Sequence, residues 1–413
     1  MTLPTSPLPP LPSSPSLRRG TEERGLWWDN STGRLPGSVV ERFVGADWSF
    51  ADADTRMNLH PYPARYVLDL PAQAIDMLSP SMGVIDPFCG SGTTMEASAQ
   101  AGLSSVGVDL SPIACLISRV RVSEWRHSDD LAALRHATDL VDAAKNVSDQ
   151  VVDRLRADIP NVDHWFEGWA QRVLAGATAY LDTIPPDDPW HDRVALSISA
   201  TVVKLSRQDS DTRYAAVNKG LDERAGLSAL RVAVERTANY LAMRQTLAST
   251  ESRVYERDAR DLTPIADDSL DSAIFSPPYP NAYEYWLYHK YRMYWLKHDP
   301  IAVRESEIGA RPHYFKAKNP HTEVDFAQQM GDVFSGLGRV LRPQSPVVIV
   351  VGDSIIRGRH IDNRELLFDV GTGLGFTPRG ALLRTIARGR SSFNSSHGKG
   401  RNAEHVLLLE SPA

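Results

Sequence analysis

The chain has 413 residues, with 45 basic and 51 acidic side chains and a formal net charge of −6. A hydrophobic share of 42% beside 23% charged residues excludes wholesale disorder and fits a soluble globular protein of about two or three structural units. There is no apolar run of about 18 residues, the first residues lack a secretory apolar core, and two cysteines cannot build a disulfide framework, so a reducing cytoplasm is expected.

Residues 1–35, rich in Pro, Ser and Gly, read as a disordered tail. The run from Met57 to Tyr66 holds Pro61 and Pro63, which keep it extended. Gly83–Asp86 is a short apolar strand, Pro87–Gly92 a tight turn, and Thr93–Ala101 a helix. A second strand follows at Ser105–Leu110, and Ser111-Pro112 opens another helix. Strand, helix, strand at this spacing predicts an α/β fold, a Rossmann-like doubly wound sheet, with its first part at 36–120. From 121 to 250 the apolar residues recur at helical spacing, as in Val173, Ala177, Leu181 and Val194, Ile198, Val202, Leu205, which predicts an all-helical insertion. The sheet resumes over 251–413, with strands at Arg253–Arg257, Leu270–Phe275, Pro346–Gly352 and His405–Glu410.

The stretch Asp86-Pro87-Phe88-Cys89-Gly90-Ser91-Gly92-Thr93-Thr94 leaves a strand and opens a helix. Gly90 and Gly92 let the backbone turn and approach a ligand. Asp109 ends the next strand, where a carboxylate accepts ribose hydroxyls. No Lys-Ser/Thr pair follows the glycines, which excludes a triphosphate loop, and Met95 stands where a dinucleotide site wants a third glycine. Asp86 would repel a pyrophosphate and suits a ligand carrying positive charge. S-adenosyl-L-methionine, with its sulfonium and ammonium, fits. Asp258, ending a third strand, is a candidate acceptor for the adenine amine.

A further strand ends in Ser276-Pro277-Pro278-Tyr279. Two prolines remove two backbone donors and leave carbonyls free. The Ser276 hydroxyl and Pro277 carbonyl can accept both N–H bonds of an exocyclic amine, while Tyr279 stacks on its ring. Neither cysteine follows a proline, so covalent attack on a ring carbon is not expected.

Together these motifs resemble the amino-methyltransferases of DNA, and the serine form of the second is similar to the cytosine-N4 members. His60-Pro61-Tyr62-Pro63-Ala64-Arg65 resembles the upstream cofactor-binding element of that family. The resemblance spans 57–119 and 253–410. It implies a methyltransferase sheet, S-adenosylmethionine as cofactor, double-stranded DNA as partner, and a role in restriction-modification or defence beside the nucleoid. Adenine N6, an RNA amine, or an idle DNA-binding subunit stay open as alternatives. Two departures from the family pattern stand out: the SPPY segment follows the Gly loop, and the insertion falls between the second and third strands.

Other candidates are weaker. Arg207, Gln208 and Arg213 in the insertion can reach base edges, or sit in a solvated loop. Arg379, Arg384, Arg388, Arg390, Lys399 and Arg401 form a basic stripe suited to phosphates, with the last four on a flexible loop. Tyr283 and Tyr285 can wall a base pocket, whereas Tyr288, Tyr291 and Trp295 share a packing face. The scattered histidines show no metal-ligand spacing.

Overall fold

A computed structural model describes residues 27–29, 34–50, 59–63, 67–211, 213–244, 251–280, 284–385 and 403–413. The chain begins with β1 (Trp27–Trp28), α1 (Gly37–Gly45), α2 (Asp69–Leu78), β2 (Val84–Asp86), α3 (Thr93–Gln100), β3 (Ser105–Asp109) and α4 (Pro112–Val122). Six helices follow: α5 (Ser128–Lys145), α6 (Asp149–Arg156), α7 (Val162–Trp165), α8 (Gly168–Leu181), α9 (Pro189–Leu205) and α10 (Glu223–Ala242). Next come β4 (Ser252–Glu256), β5 (Ser272–Phe275), α11 (Tyr285–Trp295), α12 (Pro300–Ser306), α13 (Arg311–Tyr314) and α14 (Glu323–Val340). The chain closes with β6 (Pro346–Val351), β7 (Ser354–Ile356), β8 (Arg359–Ile361), α15 (Asn363–Gly373), β9 (Thr377–Thr385) and β10 (Ala403–Glu410).

Eight strands form one sheet in the order β1-β9-β10-β6-β5-β2-β3-β4. The run from β6 to β4 is parallel, and β10 lies antiparallel between β6 and β9. The chain winds outward from β2 through β3 to β4, then returns to β5 and winds the other way. That reversal beside β2 is the switch point at which open α/β sheets bind ligands, outside the carboxyl ends of their strands. The doubly wound α/β expectation therefore holds.

Alternation within the strands builds the two layers. Val347, Ile349 and Val351 of β6, with Leu407 and Leu409 of β10, pack under α14 through Phe326, Met330, Phe334 and Leu337. Val348, Val350, Val406 and Leu408 face the opposite layer, with Val40, Phe43, Leu70 and Ala74 of α1 and α2. All six β6 residues are buried, as a central parallel strand covered on both faces requires.

The helical segment between α4 and β4 buries its apolar stripe: Val173, Ala177, Leu181, Val194, Ile198, Val202 and Leu205 are all buried. It is no separate lobe, because its core is continuous with Ile113, Leu116, Ile117 and Val120 of α4 and Met293 and Trp295 of α11. A buried ionic knot also ties it to the sheet. Glu96 of α3 accepts from Arg121 of α4, from Arg244 just after α10 at 2.7 Å, and from the Tyr240 hydroxyl at 3.1 Å.

The tail expectation needs correcting within the described residues. Trp27–Trp28 pairs antiparallel with β9, and Leu35 is buried with its N–H on Glu410 at 2.6 Å. The sheet edge supplies the unpaired backbone groups that hold this segment. Residues 1–26 lie outside the described set.

Candidate active site

Where β2 ends, the chain turns through Pro87–Gly92 into α3. Asp86 is 2% exposed; its carboxylate accepts the Phe88 N–H at 2.9 Å and the Thr94 hydroxyl at 2.6 Å. It is turned inward, fastening the turn to the first helical residues, and does not line the cavity here; nor does Thr94. The expectation that Asp86 faces a ligand is corrected by those bonds. Gly90 and Gly92 have φ of +50° and +80°, in the left-handed region that favours glycine. A Cβ on Gly92 would lie 2.8 Å from the Ser118 Oγ and 3.0 Å from its Cα, so Gly92 lets α4 seat against the loop.

Asp109, at the end of β3, accepts the Gly90 N–H at 2.9 Å on one oxygen and the Ser111 N–H at 2.8 Å on the other. The Leu110 N–H also faces this carboxylate, so three backbone donors hold it. Burial raises its pKa to about 6, against the pull of those N–H groups. Pro87, Phe88, Cys89, Gly90, Ser91, Thr93 and Asp109 line one cavity, and the Ser91 Oγ there is buried without a hydrogen-bond partner.

The upstream element divides. Tyr62 lines the cavity with its ring over Gly90, where a Cβ would come within 3.3 Å of it, and stacks on Tyr285 at 6.1 Å. His60 is wholly buried, its Nδ1 2.7 Å from the Pro61 carbonyl and its Nε2 3.0 Å from the Ser199 Oγ of α9. It anchors the segment to the insertion rather than closing the cavity, and burial holds its pKa well below the usual histidine range. Pro63 is half-buried and outside the lining; Arg65 lies outside the described residues. Asp258 lines the cavity, but its carboxylate is spent on Arg260, whose Nε lies at 2.8 Å, so a ligand amine would have to share it.

At the end of β5, Ser276 and Pro278 line the same cavity. Pro277 and Tyr279 do not, as alternation in an extended segment dictates. The Tyr279 ring lies against Gly352, where a Cβ would come within 3.1 Å, and its hydroxyl donates to Glu404 of β10 at 3.2 Å. Burial pushes both the Tyr279 phenol and the Glu404 carboxyl up. Sequence reasoning missed the opposite wall: Val303 and Ser306 of α12, then Glu307 and Ile308. No motif marks that segment. Tyr285, anticipated as a wall, does line the cavity; Tyr283 lies outside the described residues.

The nucleic-acid candidates fare unevenly. Arg213 is exposed and paired with Asp209 at 3.3 Å. Gln208 is 1% exposed and donates to the Ser210 carbonyl, which removes it from any base edge, and Arg207 sits 3.6 Å from Glu167. Arg379 is wholly buried against Glu410 at 3.1 Å and Arg384 is buried beside Glu404, so neither belongs to a phosphate-binding stripe. Arg388, Arg390, Lys399 and Arg401 lie outside the described residues. Asp353, Asp362 and His405 bring ligand atoms within 4.8 Å, a grouping their spacing in sequence hides. Among the described residues no helix is long and apolar enough to cross a membrane.

Fold and cavity thus define a doubly wound α/β protein with a cavity at its switch point. Residues 17–119 match the family model described as DNA methylase. The Type II methyltransferase M.MjaII of Methanocaldococcus jannaschii is 34% identical over 68 residues, 16% of this chain and 13% of that protein. The chain therefore aligns with only a small part of that relative. TTHA0409 of Thermus thermophilus, solved in complex with S-adenosyl-L-methionine, is 20% identical over 38% of this chain and 54% of its own, with a TM-score of 0.24. TrmN from Thermus thermophilus is 13% identical, covering 86% of this chain and 51% of its own, with a TM-score of 0.33.

Proposed function

We propose that the chain transfers the methyl group of S-adenosyl-L-methionine to the N4 amine of a cytosine turned out of double-stranded DNA. One observation carries this reading: the Gly-loop residues, Ser276 and Pro278 line a single cavity. When bound, the cofactor supplies an electrophilic methyl carbon on a sulfonium. Asp109 offers ribose hydroxyls its remaining acceptor capacity, Gly90 and Tyr62 hold the adenosyl part between backbone and ring, and the orphaned Ser91 hydroxyl gains a partner. Ser276 Oγ and the Pro277 carbonyl accept the two N–H bonds of the target amine. This draws its lone pair out of conjugation and aims it at the methyl carbon.

Tyr279, held by Glu404 on the other side of the turn, stacks on the flipped base. After transfer the cationic nitrogen is strongly acidic and loses its proton to Ser276 or water. Cys89 and Cys115 are buried with thiols pushed well up, which suits packing rather than nucleophilic attack. Arg213 and the basic residues 388–401 would contact phosphates. The family match over 17–119 supports a DNA substrate; a modification or defence role in the cytoplasm, beside a cognate restriction partner, is part of the same proposal.

The test is to incubate unmodified DNA and RNA with labelled cofactor, digest to nucleosides and identify the product by mass. N4-methyldeoxycytidine is expected. N6-methyldeoxyadenosine or a methylated ribonucleoside would overturn the base assignment, and no labelled product would overturn the activity.

A further inference from the structure

Glu307 follows α12 directly and is 8% exposed. Its Oε1 accepts the Tyr285 N–H at the start of α11 at 2.9 Å, while its Oε2 is buried without a hydrogen-bond partner. It lines the cavity together with Asp109, Ser276 and Tyr62. The following Gly309 packs on the SPPY backbone, where a Cβ would lie 3.0 Å from the Tyr279 carbonyl. A buried carboxyl oxygen left unpaired costs about 1–3 kcal/mol, a penalty that a ligand donor or cation removes.

We propose that Glu307 is a cofactor-binding residue whose free oxygen recognises the sulfonium charge of the methyl donor, while Asp109 holds the ribose. This rests on the cofactor reading of the cavity. Asp109 already accepts from three backbone N–H groups, so Glu307 Oε2 is the less committed acceptor. The groups facing it are the carboxyls of Asp109 and Glu284 and the phenols of Tyr62 and Tyr285; nearby Arg260 reaches the Ser306 carbonyl but is committed to Asp258. Burial, helped by Asp109 and Glu284 and opposed by the Tyr285 and Trp286 N–H groups, pushes the Glu307 carboxyl up to about 8. The free protein therefore holds that proton at neutral pH, and a bound cation displaces it. Loss of the methyl leaves a neutral thioether, so Glu307 favours the donor over the spent product.

Calorimetric titration of the full chain with S-adenosylmethionine and with S-adenosylhomocysteine, in buffers of different ionisation enthalpy, tests this. At pH 7 the donor should release about one proton on binding and the product fewer. Donor affinity should rise with pH up to about 8 and level off above it. Glu307→Gln, which retains an oxygen for the Tyr285 N–H, should abolish most of the release and weaken the donor about 10-fold or more, while the product changes by less than about twofold. Glu307→Asp should keep the proton release. A flat pH profile in the wild type, equal losses for both ligands, or an unchanged Glu307→Gln variant would overturn the assignment. A wild-type chain that binds neither ligand would instead overturn the cofactor reading on which it rests.

Discussion

The two walls of the cavity are made differently. On the sheet side, Asp86, Thr94, Asp109 and Ser118 are cross-bonded, and the Ser118 hydroxyl closes on the Gly90 carbonyl at 2.9 Å. Behind that wall Glu96 pins α3 to α4 and the end of α10. On the opposite side, α12 and the start of α11 present Glu307 with one oxygen unpartnered. The sheet wall bonds most of its polar groups to itself, with the Ser91 hydroxyl left over, whereas the helical wall presents a carboxyl oxygen with no partner. Substitutions in the first should cost stability, and those in the second, or in the SPPY turn, should cost ligand handling with the fold intact.

The largest expected effect would break the sheet wall from behind. Glu96→Ala leaves two arginines buried without their carboxylate and should lower the unfolding free energy by about 3–5 kcal/mol in denaturant titration. Gly92→Ala combines a left-handed backbone with a collision on Ser118 and should cost about 2–4 kcal/mol by the same measurement. In the turn, Ser276→Ala should cut turnover about 100-fold while cofactor affinity stays within about twofold. A matching collapse of affinity would dissolve the distinction between cofactor and base residues. Smallest, Tyr279→Phe frees the ring from Glu404 while leaving the Arg384–Glu404 pair in place, and should lower turnover about 10-fold with unfolding and cofactor affinity unchanged. A destabilised Tyr279→Phe protein would instead make the Tyr279–Glu404 bond part of the sheet's core.

Much of the sheet wall was legible because its logic is local. Gly90 and Gly92 mark a turn, Asp109 ends an apolar strand, and Ser276-Pro277-Pro278-Tyr279 ends another. What sequence could not give was orientation. Asp86 looks like a ligand-facing acid until Thr94, in the first turn of α3, is seen to claim it. Arg379 and Arg384 look like a phosphate stripe until long-range pairing places Glu410 and Glu404 beside them. Glu307 carries no signature, because its place depends on where α12 packs, and the short strand at Trp27–Trp28 exists only through an edge supplied by β9, near the other end of the chain.

The proposed transfer requires a reactive methyl and a target amine to meet at the Ser276 turn. A structure of the chain with S-adenosylmethionine bound measures that directly. The ribose should rest on Asp109 and the methyl carbon should point at the Ser276-Pro277 acceptors. A cofactor bound elsewhere, or one whose methyl faces away from that turn, would contradict it.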